Sequence, residues 1–458
     1  MLSSNSTKSN LIIFIRHFND FDMILPFIDY VIKENESNLI LYSDAKSIPG
    51  AEYHQEFLRS QHNEKISYLF DVQCFRRFRN ILGFRDAMLR IQRWHKINKK
   101  VRKINIPYIS YFFSITILAI VSLLERILQK PIEIFVDNLN TSDKIIGYAG
   151  FELNFPFNTI VKLAEKRSIA TVGFSRTFTI YSNLRYTGRI VFDKESVNRV
   201  VRTKNAIKRG IVKYLKGKSY NCTYYVAGRS QKRANFQAAN FLNFEKLDRV
   251  YESCTPRYTR GWVRIFRSYL LKRTQFAFGN EKKLNVIFFL SALKYNVNES
   301  ELINTIIELS KIENINFVYK RHPGDPKEFN ISRANCYDAT DVNSILLSDW
   351  ADVGIVFGSS IGVQLLLDNV PLIIPSYIHT NTTILEKYRV CIITKSLFEL
   401  ITILSNNTKN DIINLIENRR VEDFLNKYLD GNKDYAQVML EYYEAVLGMR
   451  CSSQIKHK

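Results

Sequence analysis

Short apolar runs alternate with amphipathic stretches along most of the chain, and this alternation predicts two α/β regions. In the first region the predicted strands are residues 10–15, 38–42, 66–72, 132–136 and 169–174, and the predicted helices are 23–34 and 158–166. In the second region the predicted strands are 284–290, 315–319, 353–356, 370–375 and 390–393, and the predicted helices include 299–312 and 361–367. Strands that alternate with helices form parallel sheets covered on both faces, so we expect two doubly wound, Rossmann-type domains that face a cleft.

The length of the chain supports the division into two domains. Its 458 residues are too many for one ordinary hydrophobic core. A hydrophobic content of 46% with 24% charged residues is typical of a globular protein. We place an N-terminal, acceptor-binding domain at residues 1–280, a C-terminal, nucleotide-binding domain at 281–447 and a polar tail at 448–458.

Two stretches interrupt the alternation. Residues 104–124 carry no charge and are long enough to cross a bilayer as a helix, to lie on a membrane surface or to form a buried helix. Residues 185–275 are strongly basic, with aromatic side chains interleaved among Arg and Lys. With a net charge of +21, this basic region suits an anionic membrane surface or an anionic, polyprenyl-linked glycan acceptor, or is simply a solvated helical surface. Nucleic acid is the weaker alternative, because no recognition module is readable.

The cysteines and the first residues give an expectation for the compartment. The six cysteines lie far apart, which excludes the common zinc spacings and argues against a disulfide framework. The first eight residues are polar, so no cleavable signal peptide is expected there. We expect a cytoplasmic protein that associates peripherally with the inner face of the plasma membrane.

Two short polar motifs each follow a predicted strand. Arg321-His322-Pro323 follows the strand at 315–319, and Gly358-Ser359-Ser360 lies between the strand at 353–356 and the helix at 361–367. Parallel sheets bind ligands at the carboxyl ends of their strands. An imidazole and a Gly-Ser-Ser helix N-terminus together suit a phosphate group. We therefore expect these residues to bind the phosphate of a nucleotide-sugar donor.

The same turn allows a rival interpretation as a hydrolase. Residues 358–362 match Gly-x-Ser-x-Gly, the pattern of a nucleophilic serine between a strand and a helix. With Ser360 as nucleophile, an acid and a histidine would have to follow, and Asp368 with His379 is the combination that the sequence offers. Phosphate binding accounts for both the His-Pro motif and the Gly-Ser-Ser motif, whereas a nucleophilic serine accounts for the second motif alone.

The His-Pro element followed by a Ser-Ser turn resembles bacterial GT-B transferases that use cytidine nucleotides. These are the capsule sialyl- and polysialyltransferases, the Kdo transferases and the CDP-glycerol glycerophosphotransferases of teichoic acid synthesis. The resemblance covers about residues 284–400, and it is strongest at 349–362 and 371–386. It implies a GT-B fold, a CMP-linked donor, and contacts from His322, Ser359 and Ser360 to the donor phosphate and nucleotide. It also suggests Glu386 as an acceptor for a ribose or sugar hydroxyl. The first half lacks the Asp/Glu-Asp/Glu-Gly element of sialyltransferases, which argues against sialyl transfer itself.

The first half must supply the group that activates the acceptor hydroxyl. Asp20 is the first candidate for the base and Asp137, after the strand predicted at 132–136, is the second. His17 is a further candidate, and Arg176 could bind a carboxylate of donor or acceptor. We expect no metal ion and no other cofactor, with positive side chains and helix dipoles stabilising the leaving phosphate.

The sequence thus predicts a glycosyltransferase that moves a sugar from a nucleotide-activated, CMP-linked donor to a lipid-linked or polymeric glycan acceptor, in bacterial capsule or O-antigen biosynthesis. A polyol-phosphate transferase of the CDP-glycerol or ribitol type would share both motifs. A UDP-sugar 2-epimerase shares the two-domain layout, and a non-enzymatic polyanion- or nucleic-acid-binding protein would explain the charge alone.

Overall fold

The structure is a computed structural model that describes most of the two predicted α/β regions. The described residues are 8–34, 37–44, 47–75, 129–148, 156–175, 222–228, 250–253, 255–274, 276–279, 283–291, 297–322, 336–379, 382–429 and 433–448.

The first sheet has seven parallel strands in the order β3-β2-β1-β4-β5-β6-β7. They are β1 Asn10–Phe14, β2 Asn38–Ser43, β3 Ser67–Tyr68, β4 Lys144–Tyr148, β5 Ala170–Phe174, β6 Tyr224–Gly228 and β7 Val250–Ser253. β1 is an interior strand, and Leu11, Ile12 and Ile13 are fully buried because helices cover both faces of the sheet. The strand order reverses at β1, and the carboxyl ends beside such a reversal are where open α/β sheets bind ligands.

Five helices accompany this sheet in the described part of the chain. They are α1 Phe18–Glu34, α2 Glu52–His62, α3 Gln129–Asp137, α4 Phe157–Lys166 and α5 Arg260–Leu271, with 3₁₀ turns at Leu69–Asp71 and Pro256–Tyr258.

The strand predicted at residues 132–136 is wrong, because these residues belong to helix α3. Ile132, Phe135 and Val136 are buried at helical spacing, and Pro131 stands in the first turn, where its missing N–H has no helical partner. Asp137 therefore ends a helix, and β4 begins after it. The Asp137 carboxylate accepts a hydrogen bond from Arg167, which follows α4. Both residues lie at the amino edge of the sheet, opposite to the edge that the catalytic role requires.

The second sheet has six parallel strands in the order β10-β9-β8-β11-β12-β13. They are β8 Leu284–Phe289, β9 Ile315–Lys320, β10 Cys336–Asp338, β11 Val353–Val356, β12 Leu372–Pro375 and β13 Ile392–Thr394. The predicted strands at 284–290, 315–319, 353–356, 370–375 and 390–393 are thus confirmed within two residues at each end. Their apolar runs are continuous because both faces of these strands are buried.

The last helix returns to the N-terminal domain. The helices of the second half are α6 Glu299–Leu309, α7 Ser344–Trp350, α8 Ile361–Leu367, α9 Ile384–Lys387, α10 Leu397–Asn406, α11 Lys409–Asn414, α12 Asn418–Leu429 and α13 Tyr435–Gly448. In α13, the Tyr435 hydroxyl donates to the carbonyl of Pro26 at 3.2 Å, and Tyr443 is hydrogen-bonded to Ser37 at 2.8 Å. Helix α13, which the sequence assigned to the C-terminal domain, therefore packs on α1.

The described end of the basic region 185–275 is a packed junction between the domains. On α5 the aromatic residues Trp262, Phe266 and Tyr269 are buried and pack against Phe57 of α2. Arg267 of the same helix pairs with Asp349 at 2.9 Å and with Asp368 at 2.7 Å. These interactions bind α5 to both domains, while Arg264, Lys272 and Arg273 in the same part of the basic region are exposed.

The apolar segment at 104–124 lies outside the described residues, as does most of the basic region before residue 250. Among the helices that the structure describes, none combines the length and the apolar character that crossing a membrane requires.

Candidate functional site

Strand register brings the two polar motifs of the second half to one edge of the sheet. Phe289 of β8 pairs with Lys320 of β9 on one side and with Val356 of β11 on the other. Two residues farther along each chain are Ser291, His322 and Gly358. Neighbouring strands are about 4.8 Å apart, so His322 and Gly358 leave the sheet roughly 10 Å from each other. This separation suits a phosphate-containing group bound between the two strand ends.

The end of β9 carries three cationic or ionisable residues. The Lys320 ammonium donates to the carbonyl of Val342 at 2.7 Å, and burial lowers its pKa to about 8. The Arg321 guanidinium lies 3.1 Å from the Asp338 carboxylate, at the end of β10. Lys320 and Arg321 are thus both held by the β10 side, and His322 follows them as a half-buried residue. Pro323 lies outside the described residues.

The end of β11 forms a tight turn into helix α8. Gly358 has a φ of +59°, a left-handed conformation that residues with a Cβ rarely adopt. The Ser359 hydroxyl accepts a hydrogen bond from the backbone N–H of Ile361 at 3.4 Å, and Ser360 occupies the N-cap position of α8. Ser291, at the end of β8, donates from its hydroxyl to the carbonyl of Phe357 and so braces the turn. The glycine and both serines therefore have defined positions at the sheet edge.

Glu386 caps the short helix α9. Its carboxylate oxygen Oε2 accepts a hydrogen bond from the backbone N–H of Thr383 at 2.6 Å, and the Thr383 hydroxyl accepts one from the backbone N–H of Glu386. This is a capping box, in which the side chains of the first and fourth residues satisfy each other's N–H groups. A ribose hydroxyl would have to reach the other carboxylate oxygen.

The hydrolase alternative lacks its acid. Asp368 follows the last residue of α8, about 12 Å from Ser360 at 1.5 Å per residue. Its carboxylate is bound by Arg267, by the Ser348 hydroxyl and by the Gln364 amide. His379 packs instead against Phe357, with ring centroids 5.4 Å apart. The geometry therefore gives Asp368 a structural role.

His379 should make the stability of the protein depend on pH. Burial lowers its pKa to about 4, from about 6.5 in the unfolded chain. Between these values the unfolded state takes up a proton that the folded state does not, so acidification favours unfolding. We expect His379→Phe to remove about 2–3 kcal/mol of the stability that the wild type loses between pH 6.5 and 4. Urea denaturation at several pH values measures this loss, and equal losses in both proteins would contradict the prediction.

The N-terminal sheet has its own polar cluster at the carboxyl edge. Arg16, after β1, pairs with Asp44, after β2, at 3.3 Å. Burial raises the pKa of Asp44, and its second carboxylate oxygen has no hydrogen-bond partner among the described residues. His17 is exposed, with its ring 6.4 Å from that of Tyr148 at the end of β4. The sequence interpretation missed Asp44 and Tyr148, although each follows or ends a strand as Arg16 and His17 follow β1.

Asp20 does not have the exposed position that a base needs. It lies in the first turn of α1, fully buried, and its carboxylate accepts hydrogen bonds from the backbone N–H groups of His17 at 2.9 Å and Arg16 at 3.3 Å. The placement is that of a helix-capping residue. Arg176 lies outside the described residues. Across the ranges that the structure describes, no three His, Cys, Asp or Glu side chains are grouped to hold a metal ion.

The two parallel-sheet domains can be compared with known proteins. The glycotransferase of kitacinnamycin has a similar structure, with a TM-score of 0.51 and 10% sequence identity over 96% of this chain and 99% of that chain. The chain has the GT-B fold. Two weaker similarities have TM-scores below 0.5. They are the UDP-GlcNAc 2-epimerase from Neisseria meningitidis (0.49, 11% identity, 95% of this chain and 100% of that chain) and the wall teichoic acid polymerase TagF (0.47, 10% identity, 98% and 90%). No protein-family model and no curated protein matches the chain.

Proposed function

We propose that this GT-B protein is a glycosyltransferase that moves a sugar from a nucleotide-activated donor to a lipid-linked or polymeric glycan acceptor. The observation that carries the proposal is the register of β8, β9 and β11, which aligns His322 with the Gly358-Ser359-Ser360 turn. The structural similarity to a glycotransferase supports the fold, and the two motifs supply the chemistry.

The donor phosphate lies between His322 and the turn before α8 in this proposal. During transfer the acceptor oxygen forms a bond to the anomeric carbon, and the bond from that carbon to the phosphate oxygen breaks. Negative charge then grows on the leaving nucleotide. The His322 imidazole, the Ser359 and Ser360 hydroxyls and the adjacent backbone N–H groups stabilise this charge without a metal ion. Arg321 adds positive charge at the same strand end.

The acceptor hydroxyl meets the donor from the N-terminal side. His17 is the base that we propose, because it is exposed at the carboxyl edge of β1 and its imidazole can take the acceptor proton. Arg16, the residue before it, forms an ion pair with Asp44. This assignment replaces Asp20, whose carboxylate is buried and engaged in capping α1.

The nucleotide and the biological setting rest on the resemblance to cytidine-nucleotide transferases. We propose a CMP-linked donor and an acceptor of capsule or O-antigen assembly, bound at the inner face of the plasma membrane. The basic residues between 185 and 250 are the part of the chain that we assign to the anionic membrane or acceptor.

Titration calorimetry with CMP, CDP, UDP and GDP tests the site. We expect a cytidine nucleotide to bind, and His322→Gln and Ser359→Ala each to weaken its affinity about tenfold, as the loss of one charge-assisted hydrogen bond would. Lys409→Gln is the matched control, since it removes a cation that pairs with Asp352 at the opposite edge of the same sheet. Binding of UDP alone would exclude the cytidine branch, and unchanged affinity in both variants would exclude this site.

A further inference from the structure

A chain of polar side chains crosses from the N-terminal domain to helix α8. His54 of α2 is hydrogen-bonded to Asp22 of α1 at 3.1 Å. The Arg257 guanidinium donates from Nε to the same Asp22 oxygen at 2.7 Å and from Nη1 to Gln364 Oε1 at 3.0 Å. One side chain of the 3₁₀ turn Pro256–Tyr258 therefore contacts both α1 and α8.

The contacts of Arg257 with Asp22 and Gln364 are buried and charged. Arg257 is 5% exposed and Gln364 is fully buried. Burial alone would raise the pKa of Asp22, but the charges and hydrogen bonds of Arg257 and His54 lower it to about 2. The pair is thus fully ionised at neutral pH, and Gln364 satisfies a guanidinium N–H that would otherwise be buried without an acceptor.

The turn that carries Arg257 is well packed. Tyr258 is buried, and the Arg257 guanidinium lies 5.3 Å from the centroid of its ring. The turn itself is fixed, because the Thr259 hydroxyl donates to the carbonyl of Pro256 at 2.9 Å and accepts from the N–H of Trp262 at 3.3 Å.

Helix α8 is held at its middle and at its C-terminal end. Gln364 lies four residues after Ser360, on the same face of the helix. The Gln364 amide also donates to Asp368 at 3.0 Å, and Asp368 pairs with Arg267 of α5 at 2.7 Å. Contacts from α5 and from the preceding turn therefore determine where Ser360 lies relative to α1.

We propose that Arg257 is a positioning residue of the donor site, because it fixes helix α8, which begins after Ser360, to helix α1. The inference rests on the proposed function, because it concerns the same nucleotide site. It adds that the donor site is complete only when the two domains are joined through this turn.

Titration calorimetry with CMP on Arg257→Lys tests the inference. Tyr435→Phe is the matched control, since it removes a tyrosine hydroxyl that also joins the domains, at Pro26, and it should bind CMP as the wild type does.

The outcomes separate the two proposals. If His322→Gln weakens CMP binding while Arg257→Lys has no effect, the inference is overturned and the proposed function stands. If the wild type binds none of the four nucleotides, the proposed function fails and the inference fails with it.

A lysine keeps a positive charge beside Asp22 but cannot donate to Asp22 and Gln364 in the planar, forked arrangement of a guanidinium. We expect a folded protein with a cooperative thermal transition whose CMP affinity is about fivefold lower. A lower Tm with unchanged affinity of the folded protein would show a structural role alone and would overturn the positioning role.

Discussion

Replacing Arg257 by methionine is expected to lower the free energy of unfolding by about 3–5 kcal/mol, the effect of breaking a buried ion pair on one side only. The Asp22 carboxylate would keep its charge in a mostly buried position, and the Gln364 oxygen would lose the guanidinium that donates to it. Urea denaturation at pH 7 measures the change. A loss of less than about 1 kcal/mol would show that the pair contributes no more than an exposed one.

Two controls give this result its meaning. Lys409→Met breaks the half-exposed pair with Asp352 and should cost less than about 1 kcal/mol. The double variant Asp22→Asn with Arg257→Met removes both charges, so it should be more stable than Arg257→Met alone.

The contribution of Asp22 also has a defined pH window. Its folded pKa of about 2 lies below the ordinary value of 3.8, so the ionised carboxylate stabilises the fold above about pH 4. This stabilisation is lost as the pH falls from about 4 to 2. The difference in stability between wild type and Arg257→Met should therefore shrink over that range.

His322→Ala is expected to lower kcat/KM for sugar transfer by about 10²- to 10³-fold, the usual effect of removing one donor that stabilises charge in the transition state. The imidazole lies at the end of β9, beside the place where the leaving phosphate gains its charge in the proposed mechanism. CMP release from the CMP-linked sugar that the wild type uses fastest measures the rate. Because His322 is only half-buried, the Tm should change little.

His322→Gln and Tyr435→Phe are the control variants for the rate measurement. Glutamine can donate a hydrogen bond but carries no charge, so part of the activity should remain. Tyr435→Phe, remote from the phosphate site, should transfer at the wild-type rate. Activity of His322→Ala within twofold of the wild type would remove His322 from the donor site.

Most strands at the centre of each sheet were predictable, because their apolar runs are short, continuous and bounded by polar or turn residues. The strands Lys144–Tyr148, Tyr224–Gly228, Val250–Ser253 and Cys336–Asp338 were not predicted, and of the strand predicted at 66–72 only Ser67–Tyr68 is a strand. The helix Gln129–Asp137 was not recognised, since its apolar residues at 132, 134, 135 and 136 fit strand and helix spacing alike. Pro131 in its first turn is the signal that favours the helix. The error moved Asp137 to the wrong edge of the sheet, so it affected a candidate site as well as a strand.

The positions of the two polar motifs at the ends of β9 and β11 were predictable because each motif is local, with polar residues directly after an apolar strand. The network through Arg257 was not, since Asp22 is 235 residues from Arg257 and Gln364 is 107 residues beyond it. Interleaved arginines and aromatic residues in 255–273 are typical of a polyanion-binding surface as well as of a domain junction. The structure shows that Trp262 and Phe266 pack against α2, so these aromatic side chains belong to the domain junction.

A crystal structure of the protein with CMP is the decisive test of the proposed phosphate site. We expect a phosphate group within hydrogen-bonding distance of His322 on one side and of Ser359 or Ser360 on the other, across the carboxyl ends of β9 and β11. A nucleotide bound at the N-terminal edge beside Arg16, or in any position that leaves His322 and both serines without contact, would contradict it.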